Sequence, residues 1–189
     1  LTITALGGAA PARLIRRSGA RVGDLVMVSG TLGGAAAGLR RGASPAQVRR
    51  QQRPTPRVEL GRAMASLATA GIDLSDGLAQ DLGHLCRASG VGAEISLKQL
   101  PRSGTLLAAV SGGEDYELCL TVSPRDAKRA IAIARKVSVP LTSIGQIVRR
   151  DLWPVFPAVA LAEVKPSGTA QEKRHLAHME LPDMPAGAL

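Results

Sequence analysis

Apolar residues recur in short bursts along the chain, and their spacing switches between two periods. Strict alternation over Ala93–Leu97 and Tyr116–Val122 predicts half-buried strands. Asp24–Ser29, short, apolar and bounded by Gly23 and Gly30, reads as a buried strand, and Leu141–Val148 as another. Leu1–Ala12 is apolar, Gly-rich and open to a strand, and the basic run Arg13–Arg21 turns at Gly19. Helical spacing takes over elsewhere. Ala35–Arg41 is a short helix, and Ser44-Pro45-Ala46-Gln47 carries an N-cap, an early Pro and a capping-box Gln. Thr55-Pro56 opens a helix whose apolar face is Leu60, Ala63, Met64, Leu67 and Ala68, with Gly71 as its stop. Asp76–Ser89 places Leu78, Leu82, Leu85 and Cys86 on one face and ends at Gly90. Ser123-Pro124 opens the last, with Ala127, Ala130, Ile131 and Ala134 aligned and Arg135 and Lys136 suiting its C-terminal dipole. Strands and helices are interspersed, so an α+β or α/β layered fold is expected.

The pattern decays after about Arg149. Pro154, Pro157, Pro166, Pro182 and Pro185 interrupt every candidate element. The division expected is a domain over 1–150 and a poorly structured tail over 151–189, with a short helix near Gln171–Met179. At 189 residues the chain can bury one sizeable core, and 45% hydrophobic residues argue against general disorder. No apolar run reaches the roughly 20 residues of a membrane helix. Cys86 and Cys119 have no metal-ligand spacing and suggest small core residues in a reducing, cytoplasmic setting.

The net charge of +9 raises nucleic acid as a partner, but the composition argues against it. The arginines are scattered singly or in pairs, and Tyr116, Trp153 and Phe156 are too few for a stacking platform. A smaller anion, such as a nucleotide phosphate, suits the same charge.

Two segments carry candidate chemistry. In Ile72-Asp73-Leu74-Ser75-Asp76-Gly77-Leu78, two carboxylates and a hydroxyl precede a helix start. Hard oxygen donors suit Mg2+, and a helix N-terminus offers N–H groups to a phosphate. The plain alternative is that Ser75 or Asp76 caps the helix and Asp73 is a turn residue. In Gly112-Gly113-Glu114-Asp115-Tyr116-Glu117-Leu118, a Gly pair delivers adjacent carboxylates to the mouth of a strand; the alternative there is a polar turn. Gly30-Thr31-Leu32-Gly33-Gly34 lacks the Lys of a Walker loop and reads as a tight turn. His84 reads as a packed or surface histidine.

Taken together and in order, these segments resemble thiamine-monophosphate kinases, of the aminoimidazole ribonucleotide synthetase superfamily. The I-D-L-S-D-G-L run is Ile72–Leu78, D-L-x-H is Asp81–His84, and G-G-E-D-Y-E-L is Gly112–Leu118. Upstream, Arg17–Asp24 is similar to R-S-G-A-x-x-G-D, and Arg53–Arg57 to R-P-x-P-R. The resemblance implies the superfamily's α+β C-terminal domain, a mixed sheet with helices packed on one side. It implies ATP-dependent, Mg2+-dependent phosphorylation of thiamine monophosphate to thiamine diphosphate. By motif position, Asp73 and Asp76 are Mg2+ ligands, Ser75 and Arg17 contact ATP, and Glu114 faces the cationic thiazolium. Asp115 and Tyr116 are left as scaffold, an N–H-bonded turn residue and a partly buried ring.

Three departures from the family qualify this expectation. The family's N-terminal domain, which carries further metal ligands and the homodimer contact, is absent from the sequence. The connection from Pro101 to Ser111 is shorter than usual. The substrate-stacking aromatic has no match in the tail. The isolated chain is therefore expected to be inactive alone. The other readings are a non-catalytic remnant or nucleotide-binding module, and a related enzyme using ATP on another small substrate.

Overall fold

Alternation along β1 (Leu25–Ser29) sends Val26 and Val28 to one face of a sheet and Met27 to the other. The computed structural model describes residues 4, 6–8, 10, 14–150 and 159–162. In it β1 is central. It pairs antiparallel with β4 (Glu117–Val122) on one side and β5 (Leu141–Val148) on the other. Beyond β4 lies β2 (Ala68–Leu74), and beyond β5 lies β3 (Gly92–Ser96), both antiparallel to their neighbours. A sixth strand, β6 (Val159–Ala162), adds in parallel to β3 and makes the sheet mixed, in the order β2-β4-β1-β5-β3-β6.

The α+β class is as expected, but helices cover both faces of the sheet rather than one. On one face Val26, Val28, Ile72, Leu74, Cys119 and Ile95 meet α4 (Leu78–Ser89) and α5 (Leu106–Ser111). On the other, Met27, Leu120 and Val122 meet α3 (Val58–Met64) and α6 (Ala127–Lys136). The two five- to eight-residue helices α1 (Gly34–Gly38) and α2 (Pro45–Gln52) pack on each other. Ser44 and Gln47 form the expected capping box, and α2 buries none of its own residues. It is held by polar contacts instead, including Gln47 Nε2 donating to the Ser103 carbonyl at 3.2 Å.

The helix expected from Thr55 to Gly71 is the main correction. It ends at Met64, and Ala68–Leu74 is strand. Pairing with β4 outweighs the helical spacing of Leu67 and Ala68. Gly71 is not a helix stop: a Cβ there would lie 2.7 Å from Ile15 Cγ2 and 2.8 Å from Leu120 Cδ2. Glycine lets those two side chains close over the strand, and a larger residue would have to displace their ends. Of the stretch 151–189, the described part is β6; the helix expected near Gln171–Met179 lies outside the described residues.

Candidate active site

The two acidic segments meet at the end of β2. Glu114 N–H donates to the Ser75 carbonyl at 2.8 Å, and Tyr116 N–H to the Leu74 carbonyl at 2.9 Å. Gly113 makes this approach possible, since a Cβ there would sit 2.5 Å from the Ser75 oxygen. Glu114 and Tyr116 both take left-handed backbone, φ 66° and 48°, in the turn between α5 and β4. Such residues persist only where the surroundings fix them. Here the two ladder-like bonds and the side chain of Asp115 do so.

Asp73 is the penultimate residue of β2, opposite Leu118, and is exposed. Asp76 is exposed too, with Oδ2 accepting from Gln80 Nε2 at 3.0 Å. Ser75 lies half-buried between them. Neither Ser75 nor Asp76 caps α4. The cap position is Gly77, at φ 115°, without a side-chain cap. The N–H groups of Asp76 and Gly77 are instead taken by Oδ2 of buried Asp81, at 2.9 and 3.0 Å. Burial is the main reason the Asp81 carboxyl titrates above its ordinary value. The charges of Asp76 and Asp73 push the same way, and the two N–H bonds oppose them. Asp73, Asp76 and Asp81 thus share one electrostatic neighbourhood. Among the described residues, however, no three His, Cys, Asp or Glu side chains are grouped to hold a metal ion. Asp73 and Asp76 fit Mg2+ as a partial set, because Mg2+ usually takes one or two carboxylates and completes its shell with phosphates and water.

Glu114 projects from the neighbouring loop, exposed, 3.3 Å from Gln51 Nε2 on α2. The backbone of Arg17 is anchored apart from this group. Its carbonyl accepts from Ser89 Oγ, at the C-terminal end of α4, and the adjacent Arg16 carbonyl accepts from Gly71 N–H. The 12 residues of α4 separate that end from Ser75 by about 18 Å. Asp24, which closes the same upstream motif, is buried scaffold: it accepts from Arg21 N–H at 2.9 Å and Thr69 Oγ1 at 2.6 Å.

Asp115 is the N–H-bonded turn residue expected. Its carboxylate accepts from Gly33 N–H at 2.5 Å and Ala35 N–H at 3.1 Å, which pins the Gly30–Gly34 turn to the acidic loop. Burial raises its carboxyl above the ordinary value, against those bonds and the Arg50 charge. Sequence reasoning missed Glu117. Its side chain, 1% exposed, receives a two-pronged bond from Arg57 (Nε and Nη2, both 2.7 Å), Arg50 Nη2 at 3.0 Å and Ser29 Oγ at 2.5 Å. Arg50 also donates to Thr31, through Nη1 to the hydroxyl at 2.7 Å and through Nη2 to the carbonyl. The final Arg of R-P-T-P-R and the final Glu of G-G-E-D-Y-E are therefore partners. Their paired motif positions were the available signal.

Residues 21–152 match the family described as AIR synthase related protein, C-terminal domain. The chain belongs to this AIR synthase related family. It is 43% identical over 177 residues to a curated thiamine-monophosphate kinase of Haemophilus influenzae, which covers 82% of this chain and 54% of that protein. The crystal structure of a thiamine-monophosphate kinase from Stenotrophomonas maltophilia K279a superposes with a TM-score of 0.74 at 34% identity, over 82% of this chain and 54% of the other. AaThiL complexed with AMPPCP and TMP superposes with a TM-score of 0.65 at 32% identity, over 82% and 53%. The chain spans about half the length of these relatives.

Within this AIR synthase related domain, the other motif residues have structural places. His84, half-buried on α4, has Nδ1 2.9 Å from Arg87 Nη2. Cys86 and Cys119 are buried and free, and burial pushes the Cys86 thiol up to about 12. Tyr116 as a residue is 42% exposed.

Proposed function

We propose that this chain contributes the C-terminal part of a kinase that transfers a phosphoryl group from ATP to thiamine monophosphate, giving thiamine diphosphate, with Mg2+. The observation that carries the reading is the hydrogen-bonded juncture of the two motif loops, which sets exposed Asp73 and Asp76 beside exposed Glu114. The similar AaThiL complex holds AMPPCP and TMP.

Phosphoryl transfer is mostly positioning and charge neutralisation. Asp73 and Asp76 hold Mg2+, which when bound neutralises charge on the phosphates. Ser75, half-buried just before α4, donates to a phosphate oxygen. Glu114 faces the cationic thiazolium, and the locked left-handed turn keeps its carboxylate in place at little entropic cost on binding. Arg17 contacts ATP from a separate part of the surface, so the nucleotide reaches beyond the acidic juncture. With only two carboxylates from the described residues, remaining metal ligands come from elsewhere in the assembled enzyme, and the 189-residue chain alone turns over little or no substrate. The setting is cytoplasmic, and the assembled enzyme is a homodimer.

The test has two arms. Titration calorimetry of the chain with Mg-ATP, with and without thiamine monophosphate, is expected to show weak saturable binding that Asp76→Ala abolishes. Mixing with a separately expressed N-terminal half of a relative is expected to produce thiamine diphosphate, again lost in Asp76→Ala. A verified complex that binds Mg-ATP yet never turns over supports the non-catalytic, nucleotide-binding alternative. Turnover indifferent to Asp76→Ala removes the assignment of the metal ligands.

A further inference from the structure

A cleft of about 620 Å3 opens between α2 and the chain that follows it, beside the floor made by Asp115 and Glu117. None of Arg17, Asp73, Ser75 or Asp76 lines it. Its walls carry four arginines, Arg49, Arg50, Arg53 and Arg57, against those two acids, an excess of two positive charges. The four are not equivalent. Arg50 and Arg57 are fixed by Glu117, and Arg50 also lies 3.7 Å from Asp115. Both carboxylates are buried and further bonded to Ser29, Gly33 and Ala35, so they have little capacity left for another cation. Arg49 and Arg53 are exposed, one helical turn apart, and among the described residues no carboxylate lies within ion-pair distance of either.

An Arg-rich solvated face would spread its charge over a convex surface. Here the guanidinium groups converge on a concavity, where low-dielectric walls focus the field on an anion. Arg49 is exposed on a helix that buries none of its residues, and Arg53 is exposed just past its end, so burial does not account for the placement of either. Guanidinium forks match phosphate oxygens in pairs. The volume exceeds what a lone phosphate fills and falls in the range of small-molecule sites. We propose that this cleft is an anion site for a phosphorylated small molecule. Arg49 and Arg53 grip its phosphate, and Arg50 and Arg57, held by Glu117, form the electropositive wall behind it.

Titration of the chain without Mg2+ tests this apart from the kinase reading, since nothing in the readout passes through Mg-ATP. Inorganic diphosphate and ribose 5-phosphate are the probes. Both are expected to bind saturably, and Arg49→Gln/Arg53→Gln is expected to weaken both about tenfold or more. That double variant keeps the fold, because neither side chain is buried or ion-paired among the described residues. Arg125→Gln/Arg129→Gln removes the same charge from the exposed surface around α6 and is expected to leave binding unchanged. Equal weakening in both double variants, or no saturable binding by a folded chain, overturns the site. Binding of diphosphate with ribose 5-phosphate ignored overturns the small-molecule assignment.

Discussion

Asp73, at the end of β2, and Asp76, on the loop after it, face water with at most one side-chain partner. Asp115 and Glu117, one loop away, are buried and accept from two backbone N–H groups, a hydroxyl and two arginines. The same residue types serve opposite ends. An exposed carboxylate can exchange water for a metal or ligand at little cost. A buried one is tolerable only when its bonds are complete, and it then braces whatever donates to it. The second pair braces the β1 turn, α2 and the approach to α3, which together hold the loop presenting Glu114.

The comparison is most severely tested at Glu117. Replacing it with Gln leaves Arg50 and Arg57 facing an uncharged amide, and the loss expected in urea unfolding is about 3 kcal/mol or more. A loss below about 1 kcal/mol would show that the cluster is not a brace. Gly30 sits at φ 58°, where a Cβ would fall 2.0 Å from Glu117 Oε1. Gly30→Ala is expected to cost about 2 kcal/mol, through strain and displacement of that carboxylate. In a Glu117→Ala background the cost should shrink, and a double-mutant cycle measures the coupling. Asp81 belongs to the buried kind although it sits in the first turn of α4, beside the first loop. Its folded-state pKa is raised, so its contribution to stability is fully present below the unfolded value and is lost as pH rises through the folded value. The stability of the wild type relative to Asp81→Asn should therefore fall as pH rises through the mildly acidic range; a rising difference would mean the N–H bonds outweigh burial. Smallest of all, Asp76→Ala should leave unfolding free energy within about 0.5 kcal/mol while abolishing Mg-ATP binding. A large loss of stability would move Asp76 into the bracing group.

Much of this was legible in the residues. The capping box at Ser44, the apolar stripe of α4 with Gly90 behind it, and the alternation of β4 each encode their element locally, and each forms where expected. The motif loops were legible as acidic, and Asp115 as a turn anchor. Ala68–Leu74 was not, because its strand state depends on hydrogen bonds to β4, nearly fifty residues away. Period alone cannot separate such a short apolar run from the end of a helix.

What the sequence determined by itself is the inventory: which segments are helical or extended by local preference, and which motifs tie the chain to its family. Only the tertiary structure decided the division of labour among its acids. Asp73 and Glu117 are both strand carboxylates in acidic motifs. One is left in water on the edge strand β2, while the other meets Arg50 and Arg57 on the inner strand β4. Solvent exposure and the arrival of distant donors set that difference, and both exist only once the sheet is assembled.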